Sequence, residues 1–229
     1  MIRKIQKFHF DIVSGCQLRC VGCPNSTIHP KVKPISIPDF ELCMGNVDVR
    51  SVKLLRLFNY GEPLLHPDVP GILAKIPEQS FDVNLVEIST NAQYHDFKML
   101  EEIFKVGVLG RLAVSCDGNG TPEEYEHFRQ PAKWDKLLAF LAKAKEFRDK
   151  HAPEVKLITR TICETDEGRR RWLDILEPLD FEPEFRTWLN LPDSKENPSG
   201  REAEVKNQVC EYMQFVSLYV DSFGDVVPC

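Results

Sequence analysis

The stretch KFHFDIVSGCQLRCVGCPN, residues 7–25, joins an apolar run to a loop that carries three cysteines, Cys16, Cys20 and Cys23. The run KFHFDIV, residues 7–13, is predicted to be a β-strand that leads into the loop. No fourth cysteine or histidine follows closely. A structural zinc site takes four protein ligands. The loop therefore indicates a metal centre with three thiolate ligands and one position that something else must fill.

Two kinds of metal centre are compatible with this loop. Thiolates select iron–sulfur clusters, zinc or copper(I). A [4Fe-4S] cluster needs one ligand per iron, so three cysteines would leave one iron open to a cofactor or a substrate. The C-x-x-x-C-x-x-C spacing favours the cluster, because zinc motifs more often pair cysteines as C-x-x-C. The alternative is a zinc site completed by a distant residue such as His29 or His66.

Length and composition limit the remaining possibilities. The 229 residues can bury one substantial core. The net charge of −6, without a basic stripe, argues against a nucleic-acid partner. The apolar runs are too short for a membrane span, and the N-terminus carries no export signal. Eight cysteines in such a chain indicate the reducing cytoplasm and metal chemistry, with Cys43, Cys116 and Cys163 expected as small buried apolar residues.

Strand-like and helix-like runs alternate along most of the chain, without a hairpin signal between them. The predicted strands are 7–13, 51–60, 81–90, 110–118, 153–163 and 181–190, and the predicted helices are 38–47, 66–77, 95–106, 133–150 and 165–178. This alternation requires parallel strands joined by crossover helices. We therefore predict an α/β fold, a partial (β/α)6 barrel that stays open, with its chemistry at the carboxyl ends of the strands.

Several motifs in a fixed order give the chain a resemblance to a known family. CQLRCVGC matches the cysteine signature of the radical S-adenosylmethionine (radical SAM) superfamily. Four further segments resemble that family's GGEP, STNG, S-x-D-G and Y-x-x-I-R-G motifs: NYGEPLLHP (59–67), STNA (89–92), VSCDG (114–118) and YEHFRQP (125–131). The resemblance extends over nearly the whole chain, and the motifs occur in order at the strand ends of the predicted α/β fold.

The resemblance implies both the cofactors and the chemistry. Cys16, Cys20 and Cys23 would hold a [4Fe-4S] cluster whose open iron takes the amino and carboxylate groups of S-adenosylmethionine. An electron from a partner such as flavodoxin or ferredoxin would cleave this cofactor to a 5'-deoxyadenosyl radical, which abstracts a hydrogen atom from the substrate. The cofactor supplies the difficult chemistry, so no catalytic side chain is assigned.

The family's GGEP segment assigns a first group of cofactor-binding residues. Tyr60, Gly61, Glu62 and Pro63 would lie beside the ammonium group of the cofactor's methionine moiety. The backbone and Glu62 would act as acceptors, although Glu62 could instead only cap a helix. Tyr60 stands where the family has its first glycine, so the backbone approach is narrower on that side.

Later strands supply the remaining assignments. Asn91 would face the cofactor, Ser115 would contact the ribose or the carboxylate, and Arg160 would meet the carboxylate with its forked donors. Arg160 could instead be part of an ion pair at a strand edge. Gly22 replaces the aromatic residue that often precedes the third cysteine, so the adenine is expected to rest on other backbone.

The chain changes character after residue 190. We predict a barrel domain over 1–190, and a linker with a short β-hairpin over 191–229. Cys210 and Cys229, spaced C-x13-G-x4-C, resemble the start of the SPASM or twitch extension, in which such cysteines begin the ligand set of an auxiliary iron–sulfur cluster. This set is incomplete, which suggests truncation after Cys229. The alternatives are a vestigial pair of ligands and two ordinary cysteines on a hairpin.

The favoured function is the oxidation or dehydrogenation of a small molecule, since the short twitch dehydrogenases have the most similar motifs and the barrel begins within the first ten residues. A peptide-modifying SPASM maturase and a non-catalytic iron–sulfur or electron-transfer protein are the alternatives. Arg186 and Trp188 could contact the substrate, although core packing explains Trp188 equally well.

Overall fold

The computed structural model describes residues 4–93, 96–189, 191, 195–200 and 216–227. Over these residues the strands are β1 (Lys4–Ile5), β2 (Lys7–Phe10), β3 (Val13–Ser14), β4 (Lys33–Pro34), β5 (Ser51–Val52), β6 (Leu55–Arg56), β7 (Asp82–Val83), β8 (Val86–Thr90), β9 (Arg111–Ser115), β10 (Lys156–Ile162), β11 (Glu182–Arg186) and β12 (Ser217–Val220). The α-helices are α1 (Asn25–Ile28), α2 (Ile37–Gly45), α3 (Val69–Ala74), α4 (Phe97–Lys105), α5 (Pro122–Phe128), α6 (Trp134–His151) and α7 (Asp166–Leu176). Two 3-10 turns span Pro63–Leu65 and Glu177–Leu179.

A parallel sheet forms the centre of the described chain, with the strand order β11-β10-β9-β8-β6-β2-β12. From β2 to β11 this order follows the chain, and helices lie in the connections between successive strands. Such crossovers bring every strand's carboxyl end to the same edge of the sheet. The predicted α/β fold is confirmed. In the part that the structure describes, no strand pair joins β11 to β12, so the sheet is open there.

Polar caps explain where several helices begin. The side chains of Ser36, Asp96 and Thr165 accept hydrogen bonds from first-turn amides of α2, α4 and α7. Each bond satisfies a helix amide that has no partner within the helix. Gly107, with φ of +71°, follows the end of α4 and agrees with the predicted stop.

Several predicted elements differ from the structure. The predicted strand 7–13 is divided into β2 and β3, and the predicted strand 81–90 into β7 and β8. The predicted strand 51–60 is divided into β5, between β1 and β7, and β6, between β2 and β8. Its last residues leave the sheet because the Asp11 carboxylate accepts hydrogen bonds from the amides of Tyr60 and Gly61. The predicted helix 66–77 is shorter in the structure, where α3 spans Val69–Ala74. It begins later than predicted because the Asp68 side chain caps its first turn.

The C-terminal segment joins the sheet instead of standing apart from it. β12 pairs in parallel with β2, from Ser217 opposite Lys7 onwards. The chain then turns at Gly224, with φ of +87°, and Val226 forms an antiparallel bridge with Val220. The predicted hairpin is therefore present, with its first arm extending the central sheet.

Apolar side chains fill the space between the sheet and its helices. Phe8 and Phe10 on β2 are fully buried, and the Phe10 ring packs edge-on against Phe40 of α2 at a centroid distance of 5.0 Å. Burial of such rings is the main stabilising contribution to the fold. Across the described residues, no helix combines the length and the apolar character that crossing a membrane requires.

Candidate active site

The three-cysteine loop is held against the segment that ends α5. The Arg19 amide donates to the Gln130 carbonyl at 2.6 Å, and the Val21 amide donates to the Phe128 carbonyl at 3.0 Å. Gly15, with φ of +78°, begins the loop at a point where a side chain would meet neighbouring carbonyl groups. These contacts bring all three cysteines to the wall of one cavity of about 390 Å³ at the carboxyl ends of the strands.

One sulfur atom in this loop has N–H groups beside it of the kind that surround iron–sulfur clusters. Burial raises the pKa of the Cys16 thiol to about 11 and that of Cys20 to about 12, which by itself disfavours the thiolates, so the N–H contacts and a bound metal would have to stabilise them. Asn91 Nδ2 lies 3.3 Å from Cys16 Sγ, and the Leu18 amide nitrogen lies 3.4 Å from it. N–H groups directed at sulfur stabilise a metal-bound thiolate. The residues present therefore fit such a cluster.

The two histidines considered for a zinc site make other contacts. In His66, Nε2 lies 2.8 Å from the Ile35 carbonyl oxygen and Nδ1 accepts from the Asp68 amide. His29 Nδ1 accepts a hydrogen bond from Arg19 Nε at 2.7 Å. The contacts of these two histidines give the zinc alternative no support. Among the described residues, no three His, Cys, Asp or Glu side chains, the loop cysteines included, are grouped to hold a single metal ion.

The turn from Tyr60 to Pro63 packs directly against the end of the first strand. The backbone amides of Tyr60 and Gly61 both donate hydrogen bonds to Asp11 Oδ2 at 3.1 Å. A Cβ atom on Gly61 would lie 1.6 Å from the Val13 carbonyl oxygen, so only glycine fits there. Tyr60 and Gly61 line the cavity, whereas Pro63 is buried in the 3-10 turn and is not part of the cavity wall.

Glu62 is both a helix cap and a cavity residue. Its carboxylate accepts from the Leu64 amide at 3.1 Å, from Thr90 Oγ1 at 2.7 Å and from the Asn91 amide at 2.7 Å. Burial raises the pKa of this carboxyl group. Asn91 in turn donates to Gln17 Oε1 as well as to Cys16. This network links the Glu62 turn, the end of β8 and the cysteine loop into one unit.

Two cavity residues that the sequence did not assign are Asp117 and Arg129. They form an ion pair with side chains only 7% and 11% exposed. The positive charge of Arg129 lowers the pKa of all three loop thiols, although burial has the larger, opposite effect. Asp117 lies in the VSCDG motif and Arg129 in the YEHFRQP motif. An acidic and a basic residue in two successive motifs could therefore have indicated this ion pair from the sequence. Ser115 also lines the cavity.

The fifth and sixth strands contribute the far wall of the cavity. Arg160 lines it, and its Nη2 atom pairs with Glu87 Oε1 at 2.6 Å, so Arg160 does form an ion pair, although with a buried carboxylate two strands away and not at a strand edge. Trp188 also lines it. A Cβ atom on Gly22 would lie 3.0 Å from the Trp188 ring, so the missing side chain leaves room for this indole. Phe128 packs beside the same ring at a centroid distance of 4.8 Å.

The other cysteines lie away from the loop or outside the described residues. Cys116 and Cys163 are buried, as expected of small apolar residues. The same expectation is wrong for Cys43, which is only half-buried because it lies beside the open C-terminal turn. Cys210 and Cys229 fall outside the described residues.

Comparisons with known proteins agree with this site. The Radical SAM superfamily model matches residues 11–177. GTP 3',8-cyclase from Chlorobaculum tepidum is 26% identical over 108 residues, which are 47% of this chain and 32% of the cyclase. Structures of anSMEcpe with bound AdoMet, and with bound AdoMet and the Cp18Cys peptide, have TM-scores of 0.56 and 0.57 at 14% and 15% identity.

The matches cover only part of the known proteins. Each anSMEcpe match covers 82% of this chain and 52% of the solved structure, so the chain spans about half of that length. At this identity the structures show a common fold. The family model covers most of the chain and includes the cysteine loop and the strand-end motifs. On this evidence the chain belongs to the radical SAM superfamily.

Proposed function

We propose that Cys16, Cys20 and Cys23 hold a [4Fe-4S] cluster in an enzyme that cleaves S-adenosylmethionine reductively and oxidises a small molecule. When bound, the cluster and S-adenosylmethionine together supply a 5'-deoxyadenosyl radical that abstracts a hydrogen atom from the substrate. The family and the likeness to AdoMet-bound structures support radical SAM chemistry and an enzymatic role. The oxidoreductase class and the substrate are our own extension of that finding.

One observation carries the proposal. The three cysteines share a cavity wall with Glu62 and Asn91. A site for an amino-acid-like cofactor needs acceptors for its ammonium group next to the metal. Glu62 offers a buried carboxylate, and Asn91 already donates to Cys16 Sγ at 3.3 Å. Thiol ligands and ammonium acceptors therefore stand side by side.

The individual residues have distinct proposed roles. The Tyr60–Pro63 turn presents backbone acceptors and Glu62 to the ammonium group, and Asp11 positions that turn. Ser115, which lines the cavity, would contact the ribose or the carboxylate of the cofactor. For Arg160, the cofactor carboxylate is one of two proposed partners, and an anionic group of the substrate is the other.

A small-molecule substrate is favoured by the curated relative, since GTP 3',8-cyclase is named for a nucleotide. The electron would come from a small redox protein of the flavodoxin or ferredoxin type in a reducing, cytoplasmic compartment. The division into a barrel over 1–190 and an auxiliary segment over 191–229 also remains a proposal. In it, Cys210 and Cys229 would begin a twitch-type second cluster.

The test is anaerobic reconstitution of the protein with iron and sulfide, followed by S-adenosylmethionine and dithionite. We expect visible absorbance of an iron–sulfur cluster, an electron paramagnetic resonance signal that changes when the cofactor is added, and 5'-deoxyadenosine as a product. Cys20→Ala should lose the absorbance and the signal. Cys43→Ala is the matched control, because this half-buried cysteine lies outside the cavity and should leave both intact.

Two results would contradict the proposal. One is about one zinc per chain without visible absorbance. The other is a Cys20→Ala protein that keeps the wild-type cluster signal. Circular dichroism of each variant separates loss of the cluster from loss of the fold.

A further inference from the structure

One buried carboxylate in the interior of the sheet is surrounded by arginines. Glu87 on β8 has a fully buried side chain. It pairs with Arg56 Nε at 3.0 Å, with Arg111 Nε at 2.5 Å and with Arg160 Nη2 at 2.6 Å. Arg56 and Arg111 stand directly opposite Glu87 on the two flanking strands, so the parallel register creates this group. We call Glu87 and these three arginines the arginine cluster.

The arginine cluster carries an excess of positive charge. A second carboxylate beside the cluster is Glu184, whose Oε2 atom lies 3.7 Å from Arg160 Nε and 2.6 Å from Arg186 Nη2. Arg186 is 50% exposed and screened by solvent, so the buried positive charge lies on Arg56, Arg111 and Arg160, whose side chains are only 13–20% exposed. Buried charge without a counter-charge is strongly unfavourable, so this arrangement favours the entry of an anion.

A neighbouring histidine reports the same positive potential. His9 on β2 stands directly opposite Arg56 in the sheet. Burial, followed by the charges of Arg56 and Lys7, lowers the pKa of His9 to about 4. The imidazole is therefore neutral at pH 7 and adds no charge of its own. The positive charge of the cluster thus resides on its guanidinium groups.

Arg160 also has a donor that is not used. Its side chain is 13% exposed and lines the cavity, while its buried Nη1 atom has no hydrogen-bond partner among the described residues. Its guanidinium carbon lies 5.3 Å from the centroid of the Phe58 ring, which lines the same cavity. An arginine held on one side by a carboxylate and supported by an aromatic ring offers its remaining edge to a carboxylate or a phosphate.

The cluster lies deeper than the groups that suit the S-adenosylmethionine ammonium. Glu87 precedes Asn91 by four residues on the same strand and its extension. Because a strand rises about 3.3 Å per residue, the two backbones are separated by roughly 13 Å along the sheet. The Arg160 backbone pairs with Ser115 near the strand end, and its side chain reaches back along the sheet to Glu87. An anion bound there belongs more naturally to the substrate than to the cofactor.

We propose that the arginine cluster, through Arg160 and the adjacent Phe58 ring, binds an anionic carboxylate or phosphate group of the substrate. The enzyme then acts on acidic small molecules. This inference rests on the proposed radical SAM function and specifies its substrate class. The same anionic chemistry could instead come from the carboxylate of S-adenosylmethionine, and the experiment separates these two sources.

The test titrates succinate and inorganic phosphate, at constant ionic strength, into the reconstituted protein saturated with S-adenosylmethionine, and follows binding by ligand-observed NMR. We expect saturable binding of at least one probe to the wild type. Arg160→Gln should weaken it about tenfold or more, since a hydrogen bond to a charged group is lost. Arg170→Gln, which removes an exposed guanidinium from α7, should leave it within about twofold.

Control measurements separate the alternatives. S-adenosylmethionine affinity, measured by equilibrium dialysis, should be similar in wild type and Arg160→Gln. Circular dichroism of Arg160→Gln and of the conservative variant Arg160→Lys checks that the loss of anion binding does not result from misfolding. The proposal is overturned if neither probe binds saturably, if Arg160→Gln binds both like the wild type, or if Arg160→Gln loses affinity only for S-adenosylmethionine. Formation of 5'-deoxyadenosine in the same preparations is scored separately. If no 5'-deoxyadenosine forms although anion binding depends on Arg160, the proposed radical function is contradicted and the anion site is still supported.

Discussion

Replacing Gly61 by alanine probes the contact that holds the Tyr60–Pro63 turn against the first strand. A Cβ atom on Gly61 would lie 1.6 Å from the Val13 carbonyl oxygen and 2.9 Å from Asp11 Oδ1. Non-bonded heavy atoms pack at about 3.5 Å, so the turn must move by more than ~1.5 Å. Such a shift would also break the two hydrogen bonds from this turn to the Asp11 carboxylate.

The magnitude follows from these two losses. Overpacking a well-packed interior costs about 1–3 kcal/mol, and a hydrogen bond to a charged group contributes about 1.5–3 kcal/mol. We therefore expect Gly61→Ala to lower the free energy of unfolding by about 3 kcal/mol or more. Gly45→Ala is the matched control. Gly45 ends α2 and a Cβ atom there meets nothing within 4 Å, so the protein should stay within about 1 kcal/mol of wild type.

The assay is urea unfolding of the reduced protein without metal, followed by circular dichroism, with both variants measured beside the wild type. A Gly61→Ala protein with the same unfolding midpoint as Gly45→Ala would refute the reasoning. In a reconstituted protein, we also expect Gly61→Ala to weaken S-adenosylmethionine binding, because Glu62 is displaced together with the turn.

Two further predictions concern buried charges. Burial raises the pKa of Asp11 from 3.8 to about 6, so the folded protein holds this proton more tightly than the unfolded chain. The Asp11 contribution to stability therefore falls as the pH rises from about 4 to about 6, by up to about 3 kcal/mol, and Asp11→Asn should remove that part of the slope in urea titrations. Removing either partner of the Asp117–Arg129 pair, as Asn or Gln, should cost about 3–5 kcal/mol, and the double variant should cost less than the sum. Strict additivity in that double-mutant cycle would show that the two side chains do not interact.

Much of the fold could be predicted because the signals are local. Helices α4, α6 and α7 begin and end within two residues of their predicted bounds, since their apolar periodicity and caps are written in consecutive residues. The predicted strand 51–60 was wrong in its extent, because the hydrogen bonds that stop it come from Asp11, far away in the chain. Helix α5 was missed although Thr121 caps it, because it is short and follows a glycine-rich turn.

The candidate site divides in the same way. Cys16, Cys20 and Cys23 were found from their spacing alone, and the structure brings all three to one cavity. Arg129 was not assigned although it lies in the YEHFRQP motif, because nothing next to it along the chain indicates that it pairs with Asp117 beside the cysteine loop. Its position depends on how the segment after α5 packs against the cysteine loop.

By itself the sequence determined the alternation of strands and helices, the parallel sheet and the three-thiolate motif, because each is encoded by residues a few positions apart. Only the tertiary structure decided that Glu87 meets three arginines from three other strands and that Trp188 lies over Gly22. The physical reason is that such contacts depend on strand register and on crossover packing. These bring together side chains from distant parts of the chain, and no local pattern records them.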